Sequence, residues 1–506
     1  MTTAASRDAI KFKDAKLIVG LEVHVQLKTE SKLFCGCSTQ FGGEPNTQTC
    51  PVCTGMPGTL PVLNEKALDL AIKTGIALNC EIARYTKWDR KNYFYPDLPK
   101  GYQISQFDKP ICGEGFVDVK IPKSDEPATR IRIERAHLEE DAGKSIHDES
   151  GKGGVSRIDL NRTGTPLLEI VTKPDIRNTE QAKAFLSELK LILGYIAVSD
   201  CNMQEGSLRC DANVNLHFDI DGQTIATPIV EVKNLNSFRA AERAIAFEAQ
   251  RQFKLWRKTG QSIDDAPKQT RGWDDQAQKT TMQREKEESA DYRYFPDPDL
   301  IGVVVTEQQI EDTQASLGDL PADVRALLGT DYGLGDYDAD VIVSAGREMV
   351  SYFRAVANGA AKDGKPDSKI GKLASNWIGQ EVMRYLNENN ISIEQYPVPA
   401  DRFAELLSRI NGGEIDQTRA KEVLAEMVES GCEVQAAFDK LGIVKVDAGD
   451  LESLCQQLID ENPAVIEEIR GGKMKAVGSL IGKARQINPN VNPGVLRESL
   501  LKIIGI

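Results

Sequence analysis

The sequence predicts an α+β protein with a large N-terminal domain on a mixed or antiparallel sheet, followed by an all-helical domain and a small helical tail domain. Up to about residue 299, short alternating segments lie between turns rich in Gly, Pro and Asn. Beyond about residue 307, the apolar spacing is helical almost throughout. The length of 506 residues suits about three domains. We therefore predict domains over 1–305, 306–400 and 401–506.

Hydrophobic periodicity predicts the individual elements. Apolar residues alternate with Glu22, His24 and Gln26 from Leu21 to Leu27, which indicates a strand with one polar face. Further strands are predicted over Asn213–Ile220 and, as a buried strand, over Ile301–Thr306. Helices are predicted over Gln181–Leu193, Ala240–Arg257, Val324–Leu328, Ile370–Leu386, Arg402–Ile410 and Thr418–Glu429.

The charge is sorted along the chain. With 62 basic and 76 acidic residues the formal net charge is −14, which by itself argues against a polyanionic partner. The excess of acidic residues lies in 301–350 and 401–469, however, whereas residues 1–100 and 470–506 have a net positive charge. No apolar run approaches the ~18 residues of a membrane helix, and the N-terminus lacks a signal-peptide core. We expect a cytoplasmic protein.

Four of the ten cysteines cluster within 35–53. Cys35 and Cys37 form one close pair, and Cys50 and Cys53 form the other. Two such pairs on tight turns can complete a tetrahedron around Zn²⁺, and four thiolates leave no position for water. The spacing predicts a structural zinc site; the alternative is four reduced, inert cysteines.

Two acidic features could bind a divalent cation. Glu22 and His24 share one strand face, where they could bind metal, act in acid–base chemistry or contact solvent. The segment 137–145 contains Glu139, Glu140 and a following aspartate, which we interpret as an acidic turn. Adjacent carboxylates suit Mg²⁺, although such a turn can also be plain surface.

A loop over 89–103 combines cations, amides and aromatic rings. It could present its lysines and arginine to phosphates and its ring faces to a base or ribose, or it could be a polar loop anchored in the core by its rings. No Walker A motif is present, because Leu138 stands where its first glycine belongs, and no nucleophile–base set can be assigned. Two similar loops lie at 159–166 and 205–211.

Several of these segments together resemble the B-subunit family of aspartyl/glutamyl-tRNA(Asn/Gln) amidotransferases. The resemblance is carried, in family order, by GLEVHVQL at 20–27, RKNYFYPD at 90–97, LEEDAGK at 138–144, DLNRTGTP at 159–166, GSLRCD at 206–211 and VKNLNS at 232–237.

The resemblance implies a cradle-like catalytic domain and an ATP- and Mg²⁺-dependent carbon–nitrogen ligase. Such a protein phosphorylates the side-chain carboxylate of misacylated Glu-tRNA(Gln) or Asp-tRNA(Asn). Ammonia from a glutaminase A subunit then displaces the phosphate, and a small C subunit joins A to B. The expected assembly is a heterotrimer that binds misacylated tRNA.

The resemblance also implies roles for residues. The Mg²⁺ ligands would be Glu22, His24 and Glu140, chosen over Glu139, and all four are candidate catalytic residues. The zinc ligands would be the four clustered cysteines.

Lysines and an aromatic residue complete the implied catalytic site. Lys91 and Lys100 would face the nucleotide or the ammonia path, and Arg162, Lys144 and Tyr93 would contact the nucleotide.

The tail domain would contact tRNA through a basic cluster, for which a solvated helical face is the alternative. The cluster consists of Arg470, Lys473, Lys475, Lys483 and Arg485.

Two rival functions remain. A non-catalytic, zinc-bearing, tRNA-binding adaptor would explain the cysteines and the basic tail, but it leaves Glu22 and His24 without a role. A self-contained amidotransferase would need a glutaminase nucleophile, which the sequence does not reveal.

Overall fold

The computed structural model describes residues 7, 8, 10–146, 155–220, 222–285, 291–444 and 447–505. The chain divides into two compact units, Met1–Leu320 and Pro321–Ile506. The first helix after residue 306, Glu307–Ala315, lies in the first unit. The predicted domain boundaries at 305 and 400 stay predictions.

The described part of the first unit contains strands and four α-helices, and each of these helices has nine or more residues. The strands are β1 (Lys16–Gln26), β2 (Tyr85–Thr86), β3 (Asp89–Asn92), β4 (Tyr102–Ser105), β5 (Gly115–Val119), β6 (Thr129–Glu140), β7 (Lys144–Ile146), β8 (Arg157–Asp159), β9 (Pro166–Thr172), β10 (Leu208–Ile220), β11 (Gln223–Ala226), β12 (Val230–Lys233), β13 (Gln269–Asp274), β14 (Lys279–Glu285), β15 (Phe295–Pro296) and β16 (Val303–Val304). The helices are α1 (Glu65–Ala77), α2 (Thr179–Tyr195), α3 (Phe238–Thr259) and α4 (Glu307–Ala315).

The main sheet of this unit has 12 strands in the order β14-β13-β12-β10-β1-β9-β6-β4-β3-β15, with β11 on β10 and β5 on β6. The β12–β13 pair is parallel, whereas β1 pairs antiparallel with β9 and β10. The sheet is therefore mixed, and the predicted α+β fold class is confirmed.

Strand β1 shows the alternation that the sequence predicts. Val19, Leu21, Val23 and Val25 are at most 1% exposed and belong to the main core. The intervening polar residues form the opposite face, because side chains alternate along a strand. The core therefore fixes the direction of the polar face, where the candidate site lies.

Several sequence interpretations of local structure are wrong. The predicted loops over 89–103 and 205–211 are partly strands, because β3, β4 and the start of β10 lie within them. The segment Ile301–Thr306 contains only the two-residue strand β16, which pairs with β2, and Ile301 is 88% exposed. Val304 of this two-stranded ribbon is 70% exposed, and only Val305, just after the strand, is buried in the main core. The expected acidic turn is the end of a strand, since β6 continues through Glu140.

The second unit is helical. Its helices are α5 (Pro321–Tyr332), α6 (Asp336–Ser344), α7 (Arg347–Ala360), α8 (Ser368–Trp377), α9 (Met383–Asn389), α10 (Ala400–Asn411), α11 (Gln417–Ser430), α12 (Val434–Lys440), α13 (Ala448–Glu461), α14 (Pro463–Arg470), α15 (Val477–Ile487) and α16 (Pro493–Ile504).

The helix predicted over 370–386 is confirmed, with a π-helical turn at Ile378–Val382 joining α8 to α9. Helices α13 to α16 share a hydrophobic cluster that includes Leu458, Leu480 and Leu496. Within the described residues, no helix combines the length and apolarity needed to cross a bilayer.

Candidate functional site

The polar face of β1 meets acidic residues from both neighbouring strands. Glu22 lies opposite Asp211 of β10, and His24 lies opposite Glu169 of β9. Directly paired residues project from the same face of a sheet. The register therefore brings these four side chains together.

His24 is the centre of this cluster. Its Nε2 lies 3.6 Å from Glu22 Oε1 and 3.6 Å from Glu169 Oε2. Glu139, from the end of β6, completes a group with His24 and Glu169, and a second group consists of Glu22, His24 and Asp211. In each group the candidate ligand atoms lie within 4.8 Å of one another.

The cluster is buried and strongly charged. Glu139 and Glu169 are 3% and 6% exposed, and Lys91 Nζ lies 3.9 Å from Glu139 Oε2. Burial raises the pKa of Glu139, although the nearby Lys91 charge opposes that shift. Burial would lower the pKa of His24, but the hydrogen bond with Glu169 and the surrounding carboxylate charges raise it to about 9.

This arrangement fits a divalent cation. The buried Oε2 of Glu139 accepts no hydrogen bond within the described part of the chain, and the nearest cationic atom, Lys91 Nζ, is 3.9 Å away, so this oxygen is available to a ligand. Carboxylate oxygens with one imidazole form a suitable donor set for Mg²⁺ or Mn²⁺.

Cations border the acidic cluster. Lys233 Nζ lies 2.6 Å from Asp211 Oδ2, on the β10 side. At the end of β6, buried Asp141 lies 2.8 Å from Arg209 and 3.6 Å from Arg162, and it accepts a hydrogen bond from Gln26. These positive charges suit a site that handles anionic substrates.

The four clustered cysteines form a separate site. Their sulfur atoms all lie within 4.8 Å of one another, and the Cys50 and Cys53 sulfurs are 3.9 Å apart. A tetrahedral zinc with Zn–S bonds of about 2.3 Å requires sulfurs about 3.8 Å apart, so the residues fit that ion. A hydrogen bond from the Cys35 thiol is the main cause that lowers the pKa of Cys53 to about 4, and the charge of Lys32 also lowers it.

Comparison with known proteins identifies the family. The GatB/GatE catalytic domain family matches residues 17–311, and the GatB domain family matches residues 358–504. The chain belongs to the GatB family. The B-subunit resemblance is therefore confirmed, together with its amidotransferase role.

Individual relatives of this family span nearly the whole chain. The chain is 56% identical over 487 residues to the aspartyl/glutamyl-tRNA(Asn/Gln) amidotransferase B subunit of Rhodopirellula baltica, which covers 96% of both proteins. Its identity to the corresponding B subunit of Geobacter sulfurreducens is 46%, covering 96% of the chain and 98% of the relative. For the B subunit of Caldanaerobacter subterraneus the identity is 43%, covering 96% and 99%.

The structure separates the two glutamates between which the sequence analysis had to choose. Glu139 joins the cluster around His24, whereas Glu140 forms an ion pair with Lys100 and accepts a hydrogen bond from the Ile104 amide at 3.1 Å. Adjacent strand residues project to opposite faces, so the two cannot both reach His24. The structure therefore places Glu139, and not the predicted Glu140, beside His24, and the identity of the metal ligand stays a prediction.

The two predicted lysines accordingly lie in different environments. Lys91, on β3, borders the acidic cluster. The side chain of Lys100 is only 6% exposed and is engaged by Glu140, which places it away from the candidate metal group.

The other predicted nucleotide contacts are dispersed. Arg162 donates hydrogen bonds to the Ala142 and Gly143 carbonyls at 2.9 and 2.6 Å, so its guanidinium braces the chain after β6. Lys144 is exposed on β7, in a two-stranded ribbon. The Tyr93 hydroxyl donates to Gln103 Oε1 at 3.0 Å. A nucleotide role for these three residues stays a prediction.

The basic tail residues fall into two sets. Arg470, Lys473 and Lys475 are exposed at the end of α14 and in the short turn after it. Lys483 and Arg485, on α15, contact Asn462 and Asp416 respectively, and Lys473 likewise lies 3.6 Å from Glu468. Intramolecular contacts therefore do not separate the two sets, and contact of all five residues with tRNA stays a prediction.

Sequence reasoning missed Glu169, Asp211 and Lys233 as members of the acidic site. Glu169 carried a usable signal, because it is the one charged residue in the apolar strand PLLEIVT. A charge at the centre of such a strand needs a partner. The partnership with His24 depends on strand order, which the sequence did not provide.

Proposed function

We propose that this chain activates the side-chain carboxylate of an aminoacyl-tRNA with ATP and directs ammonia onto it. The observation that carries the proposal is the buried cluster of His24, Glu139 and Glu169, beside Glu22 and Asp211, in a member of an amidotransferase family. The relatives' names specify Asp/Glu-tRNA(Asn/Gln), which gives the proposed substrate class.

The chemistry requires activation because a carboxylate has no competent leaving group. A carboxylate oxygen attacks the γ-phosphorus of ATP, the bond to the β-phosphate oxygen breaks, and ADP leaves. Ammonia then attacks the acyl carbon, inorganic phosphate departs with that oxygen, and the nitrogen loses a proton to give the amide. Such transfers depend mainly on positioning and charge stabilisation.

The residues of the site have different proposed roles, according to where they lie. Glu139, Glu169 and His24, with Glu22 and Asp211, would hold Mg²⁺. When bound, the ion would neutralise phosphate charge and align the reactants. Lys91 borders the cluster, where its ammonium can contact a phosphate or carboxylate oxygen.

The four cysteines are proposed to hold structural Zn²⁺. The Leu33 amide donates to the Gly164 carbonyl at 2.8 Å, and the Gly164 amide donates to the Asp141 carbonyl at 2.9 Å. These bonds connect the cysteine-containing segment to the end of β6. Zinc would therefore stabilise the backbone beside the acidic site without entering the reaction.

The proposed assembly is a heterotrimer with a glutaminase A subunit and a small C subunit, acting on misacylated tRNA. The relatives' names describe a B subunit, which supports a complex of several chains. The exposed tail residues Arg470, Lys473 and Lys475 would contact tRNA phosphates.

The decisive experiment measures tRNA-dependent ATP turnover and amide formation in the assembled complex. Glu139→Gln should lower both by at least about 100-fold, because it removes one anionic ligand from the metal group. Glu134→Gln, an exposed position on the same strand, is the matched control and should retain activity.

Two outcomes would favour the rival functions. If Glu139→Gln keeps full turnover while the complex binds tRNA normally, the cluster is not catalytic and the adaptor function is favoured. Ammonia release from glutamine by the purified chain alone would instead indicate a self-contained amidotransferase.

A further inference from the structure

A continuous ladder of five aromatic rings lies beside the acidic cluster. The first four rings contact one another edge to face, with centroids 5.9 Å apart for Tyr95–Tyr93, 6.0 Å for Tyr93–Tyr292 and 6.1 Å for Tyr292–Tyr294. Tyr294 and Phe107 complete the ladder as a parallel stack with centroids 4.1 Å apart. The rings come from the β3–β4 hairpin, the segment after β4 and the segment before β15.

Both ends of the ladder are exposed to solvent. Tyr95 and Phe107 are each 56% exposed, and the neighbouring Phe94 is 83% exposed. The three middle rings are half-buried. Exposed rings at both ends of a packed aromatic row are nevertheless a surface that can bind a ligand, since burial of a large ring is normally favourable. The Tyr93 hydroxyl bond to Gln103 helps to hold this surface in place.

The middle ring of the ladder, Tyr292, lies at the rim of the acidic cluster. Lys91 Nζ lies 5.3 Å from the centroid of the Tyr292 ring and 3.9 Å from Glu139 Oε2. One cation therefore contacts both the candidate reaction site and the aromatic surface.

We propose that the ladder stacks the unpaired nucleotides at the 3′ end of the aminoacyl-tRNA. The inference rests on the proposed function, because an amino acid presented to the acidic cluster is attached to the terminal ribose of a single strand. Aromatic rings bind successive bases of single strands by stacking, independently of sequence. The exposed Lys109 and Arg293 lie in the same segments as Phe107 and Tyr294, where they can contact the phosphates.

The shape of the surface favours a strand over a mononucleotide. The adenine of ATP would require one enclosing pocket, whereas this ladder is extended and open at both ends. Its exposed terminal rings, with the neighbouring Phe94, each offer a free face on which an unpaired base can stack.

The test uses the assembled complex and a tRNA with a non-hydrolysable aminoacyl group and 2-aminopurine as its terminal base. Stacking quenches the fluorescence of 2-aminopurine, so the wild-type complex should quench it on binding. Phe107→Ala and Tyr294→Ala should remove most of the quenching. They should also raise KM for aminoacyl-tRNA by about 5- to 150-fold, with a much smaller effect on kcat.

Conservative variants and substrates provide the controls. Phe107→Tyr and Tyr294→Phe retain the rings and should restore quenching. An aminoacyl-tRNA with an abasic terminal nucleotide should bind wild type and Phe107→Ala with similar affinity. Normal quenching in both alanine variants would overturn the proposal.

Three other results would also overturn it: equal wild-type affinity for abasic and normal termini, loss of trimer assembly as the sole defect, or an effect on KM for ATP alone. Quenching reports base stacking and does not depend on ATP hydrolysis or amide formation. The experiment therefore distinguishes rejection of the stacking proposal from rejection of the proposed function. If wild type quenches but forms no amide, the function fails; if it forms amide without quenching, the ladder fails.

Discussion

Replacing Lys32 with methionine tests how the protein stabilises its cysteine cluster. Lys32 is completely buried, with Nζ 2.7 Å from the Gln48 carbonyl oxygen and 3.6 Å from Cys53 Sγ. A zinc ion bound by four thiolates carries a net negative charge, which a buried ammonium would partly neutralise. Methionine has a similar length and preserves packing while removing the charge.

The magnitude follows from the distance. Two unit charges 3.6 Å apart interact by about 5 kcal/mol at an effective dielectric constant of about 20. Part of this is cancelled, because Lys32→Met also removes the cost of burying the ammonium. We expect a net loss of about 2 kcal/mol, or roughly 30-fold weaker zinc binding.

Competition with a chromophoric zinc chelator measures this affinity directly in the purified chain. Lys28→Met is the matched control, because Lys28 is an exposed lysine on the same segment. Lys32→Arg retains a positive charge and should lose less affinity than Lys32→Met. Zinc affinity that is unchanged or higher in a folded Lys32→Met protein would refute the electrostatic reasoning.

Three further predictions address other parts of the molecule. Cys50→Ser should remove most bound zinc in elemental analysis and lower the thermal midpoint, because it opens a closed site; full zinc retention would contradict the ligand assignment. Trp256→Ala should lower the free energy of unfolding of the first unit by about 3–5 kcal/mol in urea, because this ring is 1% exposed and stacks on Phe218 with centroids 3.9 Å apart. Leu255→Ala, at the exposed neighbouring position, should change that free energy little. Replacing Arg470, Lys473 and Lys475 together with glutamine should weaken tRNA binding and reduce the salt-dependence slope by about 1 for each phosphate interaction that the substitutions remove; an unchanged slope would exclude the tail as a phosphate-binding surface.

Local structure was predictable wherever one periodicity dominated. The alternation around Glu22 and His24 predicted β1 correctly, because the apolar side of a half-buried strand must face the core. The prediction of a buried strand failed at Ile301–Thr306. This apolar run forms only a two-residue strand, and Ile301 and Val304 are exposed. Apolar composition predicts burial only when neighbouring elements supply the cover.

Membership in the acidic site depended on strand order and register. Glu139 and Glu140 are equivalent in composition, and only the pleat of β6 decides that Glu139 faces His24 while Glu140 faces Lys100. Likewise, Glu169 enters the cluster because β9 lies between β1 and β6.

The sequence by itself determined the α+β class, the GatB family and the four-cysteine cluster, because each depends on periodicity or on close spacing along the chain. The tertiary structure decided which carboxylates surround His24, that Lys32 is buried beside Cys53, and that five distant rings form one ladder. These features depend on contacts between residues up to about 200 positions apart, such as Tyr93 with Tyr292. Such contacts are fixed only when the sheet sets the order and register of its strands.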